Sequence, residues 1–476
     1  MRTILKPTVI AVSMMAAFAS SQVVATNGLA PTGLGQVHKA MGGAAVGNPE
    51  NTTTIMSNPA AASFVDDGYD IGAEIFKPIR TVTNNTPFTT DATSHPFNAQ
   101  GQAVNPPPYT TLNPQGGSIV PGTSYSGDKL SAFFIPEFGY KKSRGAYDMA
   151  IVGYGNGGMN TSFANSPAFA ADALSAGGNP ILDNTGQPTG ALPDHVPDSV
   201  FNFNSTSTGP KGTTGVDLKQ LFVSPTISKK VNTNNSVGLS INLVAQQFQA
   251  TGLSALAGGS VDGANFTDRG KSNSTGIGAT LGWMGKFGDN TFVGASYRLK
   301  TNMSKFKKYK GLFPNGGEMD VPAALTIGMS TNVAANTRIA VDLERIYYSK
   351  VDAIGNPFAP SGFGGANGPG FGWTDQNIFK IGVKQKVSPT LSLMAGYNHG
   401  KSPVGPEDTF FNALTPAVVE DHLSLGLEYK LSDSSKLIGS YIRTFENEVK
   451  GDVALGQQFD IKMDQHALGI AYSKTF

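Results

Sequence analysis

From Tyr69 to the carboxy terminus the chain breaks into stretches of about ten to fifteen residues in which apolar side chains alternate with small or polar ones. A period of two places successive side chains on opposite faces of an extended strand, so each stretch reads as a strand with one oily and one polar face. The pattern is cleanest late in the chain: Leu423, Leu425, Leu427, Tyr429 and Leu431 share one face, with His422, Ser424, Gly426, Glu428 and Lys430 on the other. Phe379, Ile381 and Val383 oppose Lys380, Gly382 and Lys384 in the same way, as Ile339, Val341 and Leu343 oppose Arg338, Asp342 and Glu344. Fourteen such stretches begin near Tyr69, Leu130, Tyr147, Leu218, Ser236, Thr275, Thr291, Asp320, Thr337, Gln376, Thr390, Glu420, Ser435 and Lys462. Their connections alternate in length. Short turns at 143–146, 232–235, 288–290, 334–336, 388–389 and 432–434 are separated by long Gly/Pro/Asn-rich loops such as 84–127, 156–215, 301–318 and 401–418. A soluble sandwich has no reason to sort its connections this way, whereas barrels of the outer membrane keep turns on one side and loops on the other. The expectation is an all-β, transmembrane, antiparallel up-and-down β-barrel of 14 strands.

The stretch 27–64 behaves differently. It is rich in Gly, Ala, Asn and Pro, holds no sustained period, and scatters Leu29, Leu34, Val37, Met41, Val46, Ile55, Met56 and Phe64 along its length. Such a segment cannot bury these side chains against itself and needs walls from elsewhere. Fourteen strands leave a lumen between the filled interior of eight and the open channel of sixteen or more. The segment is therefore expected to fold inside the barrel as a plug, or hatch. Ahead of it, Arg2 and Lys6, the apolar run 9–18 and the small residues near Ala25 read as an export signal. The domain expectation is a signal peptide at 1–25, a hatch at 26–66 and a barrel at 67–476.

Composition narrows the function. The 476 residues carry 35 Lys+Arg against 34 Asp+Glu, a net charge of +1, so the basic stripe that nucleic acid requires is missing. No cysteine is present, which excludes a disulfide scaffold and a lipid-modified cysteine anchor. The six histidines show no metal-ligand spacing, there is no GxSxG elbow, and the glycines at 362–372 are followed by no Lys-Ser/Thr, so neither an enzyme nor a phosphate cradle is expected. The run 105–109 reads as a stiffened loop. No cofactor and no metal are called for. Arg338, Asp342, Glu344, Lys380, Lys384 and Lys386 are expected to pair along a polar inner wall.

At its two ends the mature chain resembles the FadL/TodX family of outer-membrane transporters for hydrophobic compounds. The front carries Asn27-Gly28, Gly33-Leu34-Gly35, the small-residue run 41–46 and Ser57-Asn58-Pro59-Ala60; the back carries Val321-Pro322-Ala323-Ala324-Leu325, Trp373-Thr374-Asp375 and the run 395–404. The resemblance implies a barrel in the outer membrane of a Gram-negative cell, an internal hatch, and a lateral opening at a kink in the third strand. On this chain the opening would lie at Gly153, Gly155, Gly157 and Gly158, the most glycine-dense strand end, where a bulge is favoured. Asn58, Pro59 and Ala60 would form the hatch gate, because proline holds Asn58 extended beside the wall.

A passive route follows. Ser166-Pro167 is expected to open a short helix presenting Phe169 and Leu174, and Phe313, Phe358, Phe363, Phe371, Phe410 and Phe411 to add exposed loop aromatics to a capture groove. Ligand would then meet the hatch front at Leu29 and Leu34, and a shift near Asn58 would connect it with the third strand. Long-chain fatty acids are the expected ligands, with aromatic hydrocarbons, a structural or adhesive barrel, and a porin as alternatives. The expected surroundings are outer-membrane lipid and lipopolysaccharide, and the expected state is a monomer.

Overall fold

In the computed structural model, which describes residues 26–85, 123–128, 132–164, 213–454 and 457–476, the alternating stretches form one antiparallel sheet closed on itself. Its long strands in chain order are β1 (Gly68–Asn84), β2 (Phe133–Arg144), β3 (Tyr147–Asn160), β4 (Thr213–Lys230), β5 (Asn235–Thr251), β6 (Ser272–Phe287), β7 (Thr291–Arg298), β8 (Ala324–Ala334), β9 (Thr337–Ile346), β10 (Gln376–Lys386), β11 (Leu391–Gly400), β12 (Asp421–Ser432), β13 (Ser435–Val449) and β14 (Gln457–Thr475). Each pairs with the next, and β14 returns to β1 from Gly68↔Thr475 to Asn84↔Phe459, which closes the ring. Three short pieces, Thr123–Ser126, Phe163–Ala164 and Val453–Ala454, extend the wall.

The outward face explains the alternation. Ile277 is 71% exposed, Leu468 62% and Ile71 60%, and their neighbours along each strand's outer column are apolar too. A girdle of this kind is stable only against hydrocarbon. Two strands start earlier than the pattern predicts, β4 at Thr213 and β14 at Gln457. Val216 and Leu218 on β4, and Phe459 and Ile461 on β14, alternate with charged residues as in the other strands but are buried beneath the loops, above the lipid-facing band.

Segment 26–66 lies within the ring of strands and bonds to them on all sides. Its backbone is irregular, so its polar groups need partners from the wall. Asp342 on β9 accepts from the amides of Ala45 and Val46 at 2.7 and 2.9 Å. Ser424 on β12 accepts from Gly42 at 2.8 Å, Ser330 on β8 donates to the Gly47 carbonyl at 2.7 Å, and Glu137 on β2 accepts from the Gln36 amide at 2.9 Å. The wall must also let this backbone come close. A β-carbon at Gly396 on β11 would strike Gly42, and one at Gly382 on β10 would strike Met41. Glycine on the polar face of these strands is what makes room for the segment. Residues 1–25, and with them the export signal, lie outside the described residues, as do Phe169 and Leu174.

Candidate functional site

At the level of the short turns, charge fastens the segment to the wall. Lys384 on β10 meets Glu50 at 2.7 Å and Glu428 on β12 at 3.0 Å, while Arg338 on β9 reaches Glu50 at 3.8 Å and the Asn48 amide oxygen at 2.8 Å. Burial alone would disfavour the Glu50 carboxylate, but Lys384 and Arg338 outweigh it and its pKa falls to about 2. Lys380 pairs with Glu344 at 2.7 Å. Of the six charges expected to pair with one another, Lys380 and Glu344 do so, whereas Arg338 and Lys384 turn to Glu50 of the N-terminal segment, a partner the alternation could not supply. Asp342 is given over to the Ala45 and Val46 amides, and Lys386 is exposed near the turn, outside this row.

Asn58 joins the segment to β6. Its side-chain amide donates to the carbonyls of Val46 at 2.8 Å and Trp283 at 2.9 Å, and its oxygen accepts from the Ala60 amide at 3.0 Å. Pro59 opens a 3-10 turn, Pro59–Ser63, and the Ala60 carbonyl accepts from Ser236 on β5 at 2.8 Å. These three residues are almost completely buried between segment and wall.

Higher in the barrel the wall forks. β2 and β3 pair only from Arg144↔Tyr147 up to Glu137↔Tyr154, although β2 continues upward to Phe133 and β3 to Asn160. Residues 133–136 keep β1 as a partner, and Pro136, which has no backbone N–H, sits in this stretch. β3 meanwhile slips register against β4: Gly155 faces Leu221, Gly157 faces Gln220, and Asn156 between them is the bulged residue. Beyond Ile151 every residue of β3 is buried, so its upper half leaves the lipid-facing wall and turns inward. Gly157 packs against the Leu29 carbonyl, Gly153 faces the Phe138 ring, and Gly155 and Gly158 line two narrow cavities.

The first of these cavities, about 10 Å³, lies between Thr26, Pro31 and Thr32 of the segment and Ile135, Gly155, Phe76 and Ile442 of the wall. Lys39 stands at its side, bonded to Glu74 at 3.0 Å and 3.9 Å from Glu137, the last β2 residue before the fork. Leu29 and Leu34 do not line it. Leu29 belongs to the apolar cluster under the loops, whereas Leu34 packs against a lower cluster that includes Tyr154, Phe222 and Val244.

Above, the loop aromatics close a roof. Phe313, Phe363, Phe371, Phe410 and Phe411 are all under 5% exposed and Phe358 is half-buried, so the expected open groove of exposed rings is instead an interlocked cluster. Phe371 stacks on Phe411 at 5.0 Å, and Phe313 meets Phe248 of β5 edge-on at 4.7 Å. Rings of this size gain more from packing on one another than from standing in water. Tyr348 hangs from this roof: its hydroxyl donates to the Asn27 carbonyl at 2.6 Å and accepts from the Leu29 amide at 2.8 Å, and its ring meets Trp373 edge-on at 5.3 Å.

One cation near the fork stands apart. Arg298, at the upper end of β7, reaches the Asn156 side chain at 3.3 Å and the Pro322 carbonyl at 3.5 Å, hydrogen-bonds Tyr154, and lies over the Phe222 ring at 6.0 Å. Among the described residues it has no carboxylate partner, and its Nε is buried without an acceptor. Lys39, Lys219, Lys380, Lys384 and Arg338 each have one. Alternation places Arg298 on the inner face but says nothing about which cation lacks a partner.

No curated protein matches the chain by sequence. Solved structures match it in fold: the toluene transporter TodX of P. putida (16% identity, 94% of this chain and 99% of that chain, TM-score 0.61), a FadL homologue from Pseudomonas aeruginosa (14%, 96% and 100%, 0.60), and the toluene transporter TbuX of Ralstonia pickettii (16%, 94% and 99%, 0.56). The sequence profile of the outer membrane protein transport proteins, OMPP1/FadL/TodX, matches residues 199–476, more than half of the chain. With a closed barrel of fourteen strands girdled by apolar side chains, the chain belongs to the OMPP1/FadL/TodX family of outer membrane transport proteins.

Proposed function

We propose that this protein carries hydrophobic molecules passively into the outer membrane, and that its ligands are long-chain fatty acids. Segment 26–66 acts as the hatch that blocks the straight route, and ligand leaves sideways between β2 and β3. The observation that carries this reading is the fork above Glu137↔Tyr154, where β3 turns inward onto the hatch. Lys39 and Gln36 attach the hatch at that same point, so movement of the hatch and widening of the fork are one event. Asn58, Pro59 and Ala60 are the hinge about which the hatch shifts, and that shift is what would uncover Leu29 and Leu34, now packed in separate apolar clusters, to ligand. No energy source is required, since ligand runs down its own gradient.

Arg298 supports a carboxylate-bearing ligand. A guanidinium beside the bulged Asn156 that has no acidic partner among the described residues gains a charge-assisted hydrogen bond from a carboxylate and nothing comparable from a hydrocarbon. A second reading, aromatic hydrocarbons, is favoured by the apolar lining beneath the roof, where Val216, Phe248, Leu253, Leu312, Phe313 and Leu414 surround a narrow gap that would have to widen to admit a ring. Uptake of labelled oleate and labelled toluene by cells expressing wild type or Arg298→Gln separates the two. Selective loss of oleate uptake supports the fatty-acid reading; toluene uptake with no oleate uptake in the wild type supports the second.

A further inference from the structure

We propose that the extracellular rim above β6 and β7 is a docking surface for the phosphate groups of outer-leaflet glycolipid. Two short segments build it. In 305–310 the sequence reads Lys-Phe-Lys-Lys-Tyr-Lys, and the two rings are fully buried while the lysines are exposed. Phe306 and Tyr309 pack on Phe248 of β5 at 5.6 and 4.9 Å, which fixes the segment to the barrel. The Tyr309 hydroxyl donates to the Gly270 carbonyl at 2.7 Å, and this bond lays 305–310 beside 269–271. Arg269, Lys271, Lys307 and Lys308 are thereby gathered on one exposed surface.

The nearby acids do not neutralise it. Asp262 pairs with Lys310 at 2.9 Å, Asp320 pairs with Lys300 at 2.9 Å, and Asp268 is turned onto the Gly252 amide and the Thr267 hydroxyl. Among the described residues none of the four gathered cations is ion-paired. In a chain whose overall charge is only +1, these four cations, with Asp268 as the one acid beside them among the described residues that is not ion-paired elsewhere, leave a distinct positive field.

Their height identifies the partner. On the outer column of β6, Leu281 and Ile277 are 50% and 71% exposed, Thr275 and Asn273 follow above them, and Lys271 stands next, just ahead of the strand. Lys271 is thus about 20 Å along the strand beyond Ile277, or roughly 15 Å in height for a tilted strand. That is the headgroup layer, and a lysine there can lower its ammonium group toward a phosphate while its stem covers apolar surface. The side of the barrel is the one bearing the long loops, where the outer membrane carries phosphorylated glycolipid.

Native mass spectrometry of the full chain in detergent, titrated with bis-phosphorylated lipid A or with lipid A stripped of phosphate, tests this. Wild type is expected to retain the phosphorylated lipid preferentially, and the variant Arg269→Gln/Lys271→Gln/Lys307→Gln/Lys308→Gln to bind it on the order of tenfold more weakly. The control Lys142→Gln/Lys229→Gln/Lys230→Gln, at the opposite rim, is expected to bind as wild type does. Single variants K271Q and K307Q, each expected to weaken binding, keep the test independent of whether the fourfold variant folds. Equal retention of both lipids, unchanged binding by the rim variants, or equally effective displacement by inorganic pyrophosphate would each overturn the proposal. Ligand uptake is not the readout, so the outcome leaves the transport reading untouched.

Discussion

The α-carbon of Gly157 on β3 rests against the carbonyl oxygen of Leu29, with no room between them for a side chain. Its φ of 151° adds a backbone requirement that favours glycine. Gly157→Val is therefore expected to push the Leu29 backbone and β3 apart while leaving the rest of the barrel closed. Heat-modifiable gel migration should show a folded barrel, and limited proteolysis should cut near Leu29 at least several-fold faster than in wild type; an unchanged cleavage rate counts against the contact.

Arg298→Gln removes the guanidinium but keeps a polar side chain beside Asn156. A hydrogen bond to a charged group contributes about 1.5–3 kcal/mol, so affinity for oleate is expected to fall roughly 10- to 100-fold, with methyl oleate affected far less. Equilibrium binding to the purified protein measures both. Equal losses for acid and ester would remove Arg298 from the role of carboxylate partner.

Lys39 is held between Glu74 and Glu137 in a buried site. Burial opposes its charge, yet the two carboxylates overcome this and raise its pKa. Lys39→Met leaves two acids facing each other without compensation, a change expected to cost about 3–5 kcal/mol. Thermal unfolding followed by gel shift should register a lower midpoint, and adding Glu74→Gln to the same chain should recover part of it.

Much of this was legible in the sequence for a physical reason: hydrocarbon outside and polar groups inside force the alternation seen at 423–431, and the inward turn of β3 left its mark as glycines at 153, 155, 157 and 158. The loop rings were misread because an aromatic in an irregular segment looks the same whether it faces water or another ring. Phe371 and Phe411 are forty residues apart and stack only after both loops fold back over the lumen. The partners of Asn58 and Glu50 were equally out of reach, since Trp283 and Lys384 lie 225 and 334 residues away. Arg298 is the extreme case, because what distinguishes it is a carboxylate that no element among the described residues supplies.

The charge fastening predicts a pH limit for the docking of segment 26–66 in the barrel. Glu50 has a folded pKa of about 2 against an ordinary value of 4.5, a depressed carboxylate. The stability it contributes is fully present above pH 4.5 and is lost as pH falls toward 2. Hydrogen exchange of amides 45–58 should be constant from pH 7 to 5, after correction for intrinsic rates, and rise below pH 4; Glu50→Gln should remove most of that rise.

The central claim is lateral exit at the fork, and the bulge residue Asn156 gives the most direct access to it. Deleting Asn156 brings β3 back into register with β4 beyond Gly155 and frees its upper half to continue along β2. The decisive measurement is uptake of labelled oleate by cells expressing this deletion at wild-type levels in heat-modifiable, folded form. Uptake falling to that of cells without the protein is the predicted result; uptake equal to wild type through a straightened β3 would contradict the account.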